Sequence, residues 1–121
     1  MSEIRATTIS NAAGTGPITM TGQYAAKAWV NFDGTTVAIR ESGNVGSITD
    51  NSSGNYNVNF TTAMVDANYA VVMTAGDNSS GTCLSQSPFN TAPTTTSAQV
   101  LVTNSAFNAV DRDFVQVAIF R

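Results

Sequence analysis

The sequence predicts an all-β fold, an antiparallel β-sandwich of about seven to eight short strands with an extended N-terminal arm. Three observations carry the prediction: apolar residues alternate with period two, turn-forming residues recur between those runs, and helix formers are scarce. The chain has one Lys and two Glu, and its polar surface is drawn from Thr, Ser and Asn, which favour strands or turns. At 121 residues and 42% hydrophobic it matches one domain, able to bury roughly two thirds of its unfolded surface.

Residues 1–24 place Ile4 and Ile9 among small polar residues, and Gly14-Thr15-Gly16-Pro17 interrupts any regular element. This segment reads as an arm or attachment segment outside a sandwich of residues 25–121. Residues 25–33 read as the first strand, with Ala26, Ala28, Val30 and Phe32 inward and Lys27, Trp29 and Asn31 outward. Asp33-Gly34 reads as a hairpin turn, Thr35–Glu41 as the partner strand with Val37 and Ile39 inward, and Val45–Thr49 as a further short strand. The pentapeptide Asp50-Asn51-Ser52-Ser53-Gly54 recurs as Asp77-Asn78-Ser79-Ser80-Gly81, and both copies suit chain reversal between strands.

Asn55–Thr61 is the clearest strand: Tyr56, Val58 and Phe60 form a dry face, and three Asn residues a wet one. A single helical turn is expected near Ala63–Asp66. Tyr69–Ala75 and Phe114–Phe120 are nearly continuous apolar runs, which predicts strands covered on both faces, as central strands or as subunit contacts. Residues 85–96, with Pro88 and Pro93, read as a loop, and Ser97–Asn104 as a strand built on Val100 and Val102.

Composition excludes several functions. Only 11% of residues are charged, the net charge is −3, and the five cations are scattered, so no nucleic-acid partner is expected. Without His there is no Ser-His, Cys-His or His-metal constellation. The single Cys83 has no internal partner, and no apolar stretch has the length of a signal peptide or membrane span, so synthesis in a cytoplasm and no membrane insertion are expected. The Asn-x-Ser/Thr matches at Asn51, Asn59 and Asn78 then have no secretory pathway to act in.

Asp111 and Asp113 share a face if they lie on one strand, and Asp33 or Asp66 could approach them in space, which leaves paired carboxylates open to acid/base chemistry. Loop Asp residues ordinarily form turns, so the chain is read as no enzyme. The repeated pentapeptides lack the alternating carboxylates and closing Glu of a calcium loop, and no phosphate-binding loop opens a helix; neither metal nor cofactor is expected.

What remains is a set of aromatics, Tyr24, Trp29, Tyr56, Tyr69 and Phe89, among residues that hydrogen-bond hydroxyls. Trp29 stands out because alternation puts it opposite the apolar face of its strand, where another subunit or a ligand must cover it. Loops 50–54, 77–93 and 104–112 are the expected contact surface. Candidate receptor-binding residues are Trp29, Asp77, Asn78, Phe89, Asn90 and Asn108. Candidate subunit-interface residues are Ile4, Ile9, Tyr24, Trp29, Val115, Val117 and Ile119.

The run Ala25-Ala26-Lys27-Ala28-Trp29-Val30-Asn31-Phe32-Asp33-Gly34, followed by Val37-Ala38-Ile39-Arg40, resembles domains of tail-fibre and related virion proteins of tailed bacteriophages. Ser47-Ile48-Thr49-Asp50, Gly54-Asn55-Tyr56, Val58-Asn59-Phe60-Thr61 and Asp66-Ala67-Asn68-Tyr69-Ala70-Val71 extend the likeness over residues 23–75. Ser2-Glu3-Ile4-Arg5 and Ile9-Ser10-Asn11-Ala12-Ala13-Gly14-Thr15-Gly16 are similar to segments that precede such domains.

The resemblance implies a homotrimeric, mostly β module of the virion, a fibre component or tip, made in the cytoplasm of a bacterial host. Its partners would be itself, other tail or baseplate proteins, and a host-surface glycan or protein. It carries over no catalytic residue. The alternatives are a lectin-like carbohydrate-binding module, or a capsid decoration protein without receptor role, because the long shaft of a full fibre is missing.

Overall fold

The computed structural model describes residues 2, 6, 12–14, 24–79, 81–87 and 91–121. The predicted alternation is realised in β1 (Ala26–Asp33) from Ala28 onward, where Ala28, Val30 and Phe32 are buried and Trp29 is 42% exposed, whereas Ala26, expected inward, is exposed at the start of the strand. The following strands are β2 (Ala38–Gly43), β3 (Val45–Ser52), β4 (Asn55–Phe60), β5 (Ala70–Gly76), β6 (Leu84–Gln86), β7 (Ser97–Thr103) and β8 (Phe114–Phe120). They form two four-stranded sheets, ordered β2-β1-β8-β5 and β3-β4-β7-β6. Every pairing is antiparallel, and the described residues contain no helix.

Between the sheets the inward positions of β1, β4, β7 and β8 interdigitate. Phe32 and Tyr56 meet edge to face with centroids 5.1 Å apart, and Val58, Val100, Val102, Val115 and Ile119 are sealed around them. Each such side chain removed from water contributes about 1.5–3 kcal/mol, which makes this layer the main stabilising element. Phe60 and Tyr69 form a second edge-to-face pair at 5.8 Å, and the Tyr69 hydroxyl donates to the carbonyls of Thr94 and Ser97, both at 2.9 Å.

Several expectations are corrected. Val115, Val117 and Ile119, expected at a subunit interface, are 0–3% exposed inside one chain. β8 lies second from the edge of its sheet, so its apolar run reflects one face in the core and one face (Phe114, Gln116, Ala118, Phe120) outside. β5 is an edge strand rather than a central one: Val71, Met73 and Ala75 are only partly buried, and Val72 is 56% exposed.

The Asp33-Gly34 turn is a longer loop over residues 34–37, held by Asp33 Oδ1, which accepts from the Thr35 amide at 2.8 Å and the Thr35 hydroxyl at 2.6 Å. Val37 lies in that loop at φ 57° and not in the strand, and Ile39 stays 36% exposed on an edge. Residues 61–69 form bends instead of a helical turn, tied down by Met64 N–H to Thr95 O at 2.7 Å. The predicted loop 85–96 begins inside β6, which pairs with β7.

The registers give the sandwich a polarity. β1 starts, β8 ends and β5 starts at one end, beside Asn44, residues 61–69 and Arg121. Loops 34–37, 53–54 and 104–113, with residues 77–79 and 81–83, gather at the other. Strands of seven to eight residues separate the two ends by about 20–25 Å.

Candidate functional site

The loop end is organised by the short segment Asp111-Arg112-Asp113. Asp111 accepts hydrogen bonds from the Gly54 amide at 2.7 Å, the Tyr56 hydroxyl at 2.7 Å and the Ser53 hydroxyl at 3.1 Å. Arg112 donates through Nη1 to Asp77 Oδ2 at 2.7 Å, and its carbonyl accepts from the Gly34 amide at 2.9 Å. Asp113 Oδ2 takes the Asn78 amide at 3.4 Å. The two copies of the pentapeptide thus converge on one clamp, the first through Ser53 and Gly54, the second through Asp77 and Asn78. Only the first makes a tight hairpin, with Gly54 at φ 68° between β3 and β4.

Electrostatics agree with this architectural use. Burial pushes the Asp111 carboxyl up, but the bonds from Gly54, Tyr56 and Ser53 outweigh it and hold the group below the ordinary carboxylate range. The Ser79 amide, and then the Arg112 guanidinium, do the same for Asp77. Tyr56 is pushed the other way, by burial first and then by the Asp111 carboxylate. Its single proton serves either Asp111 or the Gly34 carbonyl at 2.8 Å. Asp111 and Asp113 are thus bound to separate loops. Cys83 lies beside Arg112, and no group of three His, Cys, Asp or Glu side chains fit for a metal converges among the described residues.

Above the clamp stands the loop 104–108. Asn104 Oδ1 accepts the amides of Ala106 and Asn108, both at 3.0 Å, and the Asn104 amide donates to Asn108 O at 2.9 Å. This brace carries Phe107 at φ 62° with the residue 73% exposed. A bulky non-glycine residue in the left-handed region is an outlier, costing about 1–2 kcal/mol.

A second feature lies on the outer face of the first sheet. Trp29 leans toward β2, with its indole nitrogen over Gly43, where an added Cβ would come within 2.4 Å; absence of a side chain on the edge strand gives the ring its seat. On the other side of Trp29 a shallow groove of about 400 Å³ crosses β1, β8 and β5, floored by Ala118 and bordered by Asn31, Gln116, Thr74 and Val72. Asn31 Oδ1 is buried there and finds no donor among the described residues, a loss of about 1–3 kcal/mol when left unmade. The opposite sheet offers a contrast: Asn51, Asn55, Asn57, Asn59 and Gln99 hydrogen-bond one another or their Ser and Thr neighbours at 2.6–3.4 Å. Among the buried oxygens of that ladder, Gln99 Oε1 lacks a donor among the described residues.

Of the residues singled out from sequence, Asp77, Asn78 and Asn108 meet at the loop end, although the Asp77 carboxylate is spent on Arg112 and the Ser79 amide. Trp29 sits on the sheet face, and Tyr24, 84% exposed, precedes β1 at the far end. Tyr56 and Tyr69 belong to the core. Ile4, Ile9, Phe89 and Asn90 lie outside the described residues. Sequence reasoning missed Phe107; the available signal was an aromatic between Asn104 and Asn108, inside a turn-forming segment. Comparison with known families, with curated proteins and with solved structures finds no match to this chain.

Proposed function

We propose that the chain is a phage virion structural module, a tail-fibre component or fibre tip, that assembles as a homotrimer and attaches to a bacterial surface through its loop end. The observation that carries attachment is Phe107. A fold that both strains the backbone and leaves the ring in water forgoes stability twice, which is reasonable where the ring has a partner outside the molecule. The braced Asn104–Asn108 loop presents that ring. The family-like motifs in residues 23–75 supply the virion setting.

Trimerisation is supported by apolar surface that one chain leaves open, with Tyr24 as the interface candidate that stays exposed away from the Trp29 face. The β5 edge adds to it. β2 carries Arg40 and Glu41, β3 is bulged and carries Asp50, and β6 has three residues, whereas Ala70–Gly76 has no charge, Pro or bulge to discourage pairing.

Phe107→Gly separates function from fold. It is expected to raise unfolding stability by about 1 kcal/mol by relieving the left-handed strain, while weakening binding of the purified protein to susceptible bacterial cells about tenfold. Undiminished cell binding overturns the loop-end reading. Sedimentation equilibrium is expected to give a three-chain species at micromolar concentration, and a stable monomer overturns the trimer.

A further inference from the structure

We propose that the groove beside Trp29, across β1, β8 and β5, is a binding site for a neutral glycan, distinct from the loop end and additional to the attachment role above. Three properties converge on that ligand class. The groove is walled by an aromatic ring and floored by a small residue, Ala118, which lets a flat, partly apolar ring approach the sheet. Its polar lining consists of two carboxamides and a hydroxyl, Asn31, Gln116 and Thr74, groups that both donate and accept, as sugar hydroxyls do. No charged side chain lines it, so it offers nothing to an anionic sugar, a phosphate or a basic peptide.

Its volume of about 400 Å³ lies within the range of small-ligand clefts, roughly 300–1,000 Å³. Thr74 donates to Gln116 Oε1 at 3.1 Å, which leaves the Gln116 amide NH₂ available to a ligand. A second copy of the chain fits less well, because it would desolvate the Asn31–Gln116–Thr74 row, across the middle of the face, along with the apolar Trp29–Ala118–Val72 row beside it. The opposite sheet, although rich in Asn, has its amides largely paired with one another and no aromatic wall along that ladder.

Trp29 is the one tryptophan of the chain, so its emission reports on this groove alone. Titration with short neutral oligosaccharides of glucose, galactose and mannose is expected to change that emission saturably for at least one of them, and titration with uronic-acid oligosaccharides to leave it unchanged. By calorimetry, Trp29→Ala and Gln116→Ala are each expected to weaken binding of that oligosaccharide about tenfold, and Phe107→Gly to leave it intact. Gln116 is an exposed side chain, so its variant keeps the fold if Trp29→Ala does not. No saturable response to any neutral oligosaccharide overturns the proposal. So does emission that shifts with protein concentration alone, which would assign the face to another copy. Either result leaves the loop-end reading standing, since that is tested on cells and through Phe107.

Discussion

Replacing Asp111 by Asn tests whether this carboxylate builds the loop end or performs chemistry. It accepts from the Gly54 amide, the Tyr56 hydroxyl and the Ser53 hydroxyl at 2.7, 2.7 and 3.1 Å. Hydrogen bonds to a charged acceptor are worth about 1.5–3 kcal/mol, against about 1 kcal/mol for neutral ones. Ser53 is exposed and turns to water without loss, and Tyr56 has the Gly34 carbonyl as a second acceptor. What Asn fails to replace is the charge on the Gly54 contact and part of that on Tyr56, about 2 kcal/mol. Asp111→Ala also leaves the Gly54 amide without its acceptor, which raises the cost to about 3 kcal/mol.

Urea unfolding at neutral and acid pH measures both variants. Although burial raises the Asp111 pKa, its three hydrogen bonds lower it further, to a net value below 3.8. A carboxyl depressed in the folded state contributes its stability above the unfolded pKa and loses it as pH falls through the folded one. The gap between the wild type and Asp111→Asn is therefore expected to narrow below about pH 4. A gap under about 0.5 kcal/mol at neutral pH, or one that stays constant into acid, refutes the reasoning. A fully stable Asp111→Asn protein that lost a polysaccharide-cleaving activity would reinstate the carboxylate pair.

Gly54→Ala is expected to cost about 3 kcal/mol in the same assay, because it combines a left-handed φ with a Cβ 2.4 Å from Val102 O and 2.7 Å from Val110 N, all backbone. Gly76→Ala, with nothing within 4 Å of its Cβ, is expected to fall within about 1 kcal/mol of the wild type. Asp66 is held at about 2 by Arg121 first and by the Asn68 amide second, so its contribution is present above the ordinary value of 3.8 and lost as pH falls from there to 2; Arg121→Gln should return its NMR titration toward 3.8. Gly43→Ala should displace the indole of Trp29 and shift its emission with a stability change under about 1 kcal/mol, since a side chain yields where a backbone does not.

The fold was readable wherever one face of a strand is wet. In β1 and β4 alternating polar residues, Lys27 and Asn31 in one and three Asn in the other, mark the outside, and the structure follows that pattern from Ala28 onward. It was misread where both faces are apolar. Phe114–Phe120 and Ala70–Gly76 look alike as sequences, yet one lies inside its sheet and the other at the edge, because strand order depends on pairings between distant segments. For the same reason three core residues of β8 read in the sequence as contacts with another subunit. The clamp was illegible too: nothing local says that Asp111 meets residue 54, or that Arg112 meets Asp77, 35 residues away. Trp29 was found because alternation exposes it, whereas Phe107 depends on a backbone conformation that no sequence period encodes.

The clamp and the exposed aromatics divide the work of the molecule in a way that bears on how it can change. Asp111, Arg112 and Asp113 hold the loops around residues 34, 54 and 77 through contacts that exclude Phe107, Asn108 and the groove beside Trp29. Substitution at Phe107 or Gln116 therefore alters a surface without touching the core or the clamp, and effects at such separated positions add nearly independently. Substitution at Gly54 or Asp111 does the reverse, loosening the base on which every loop at that end stands. A module built this way can exchange its exposed residues against a fixed scaffold, as the proposed attachment would require.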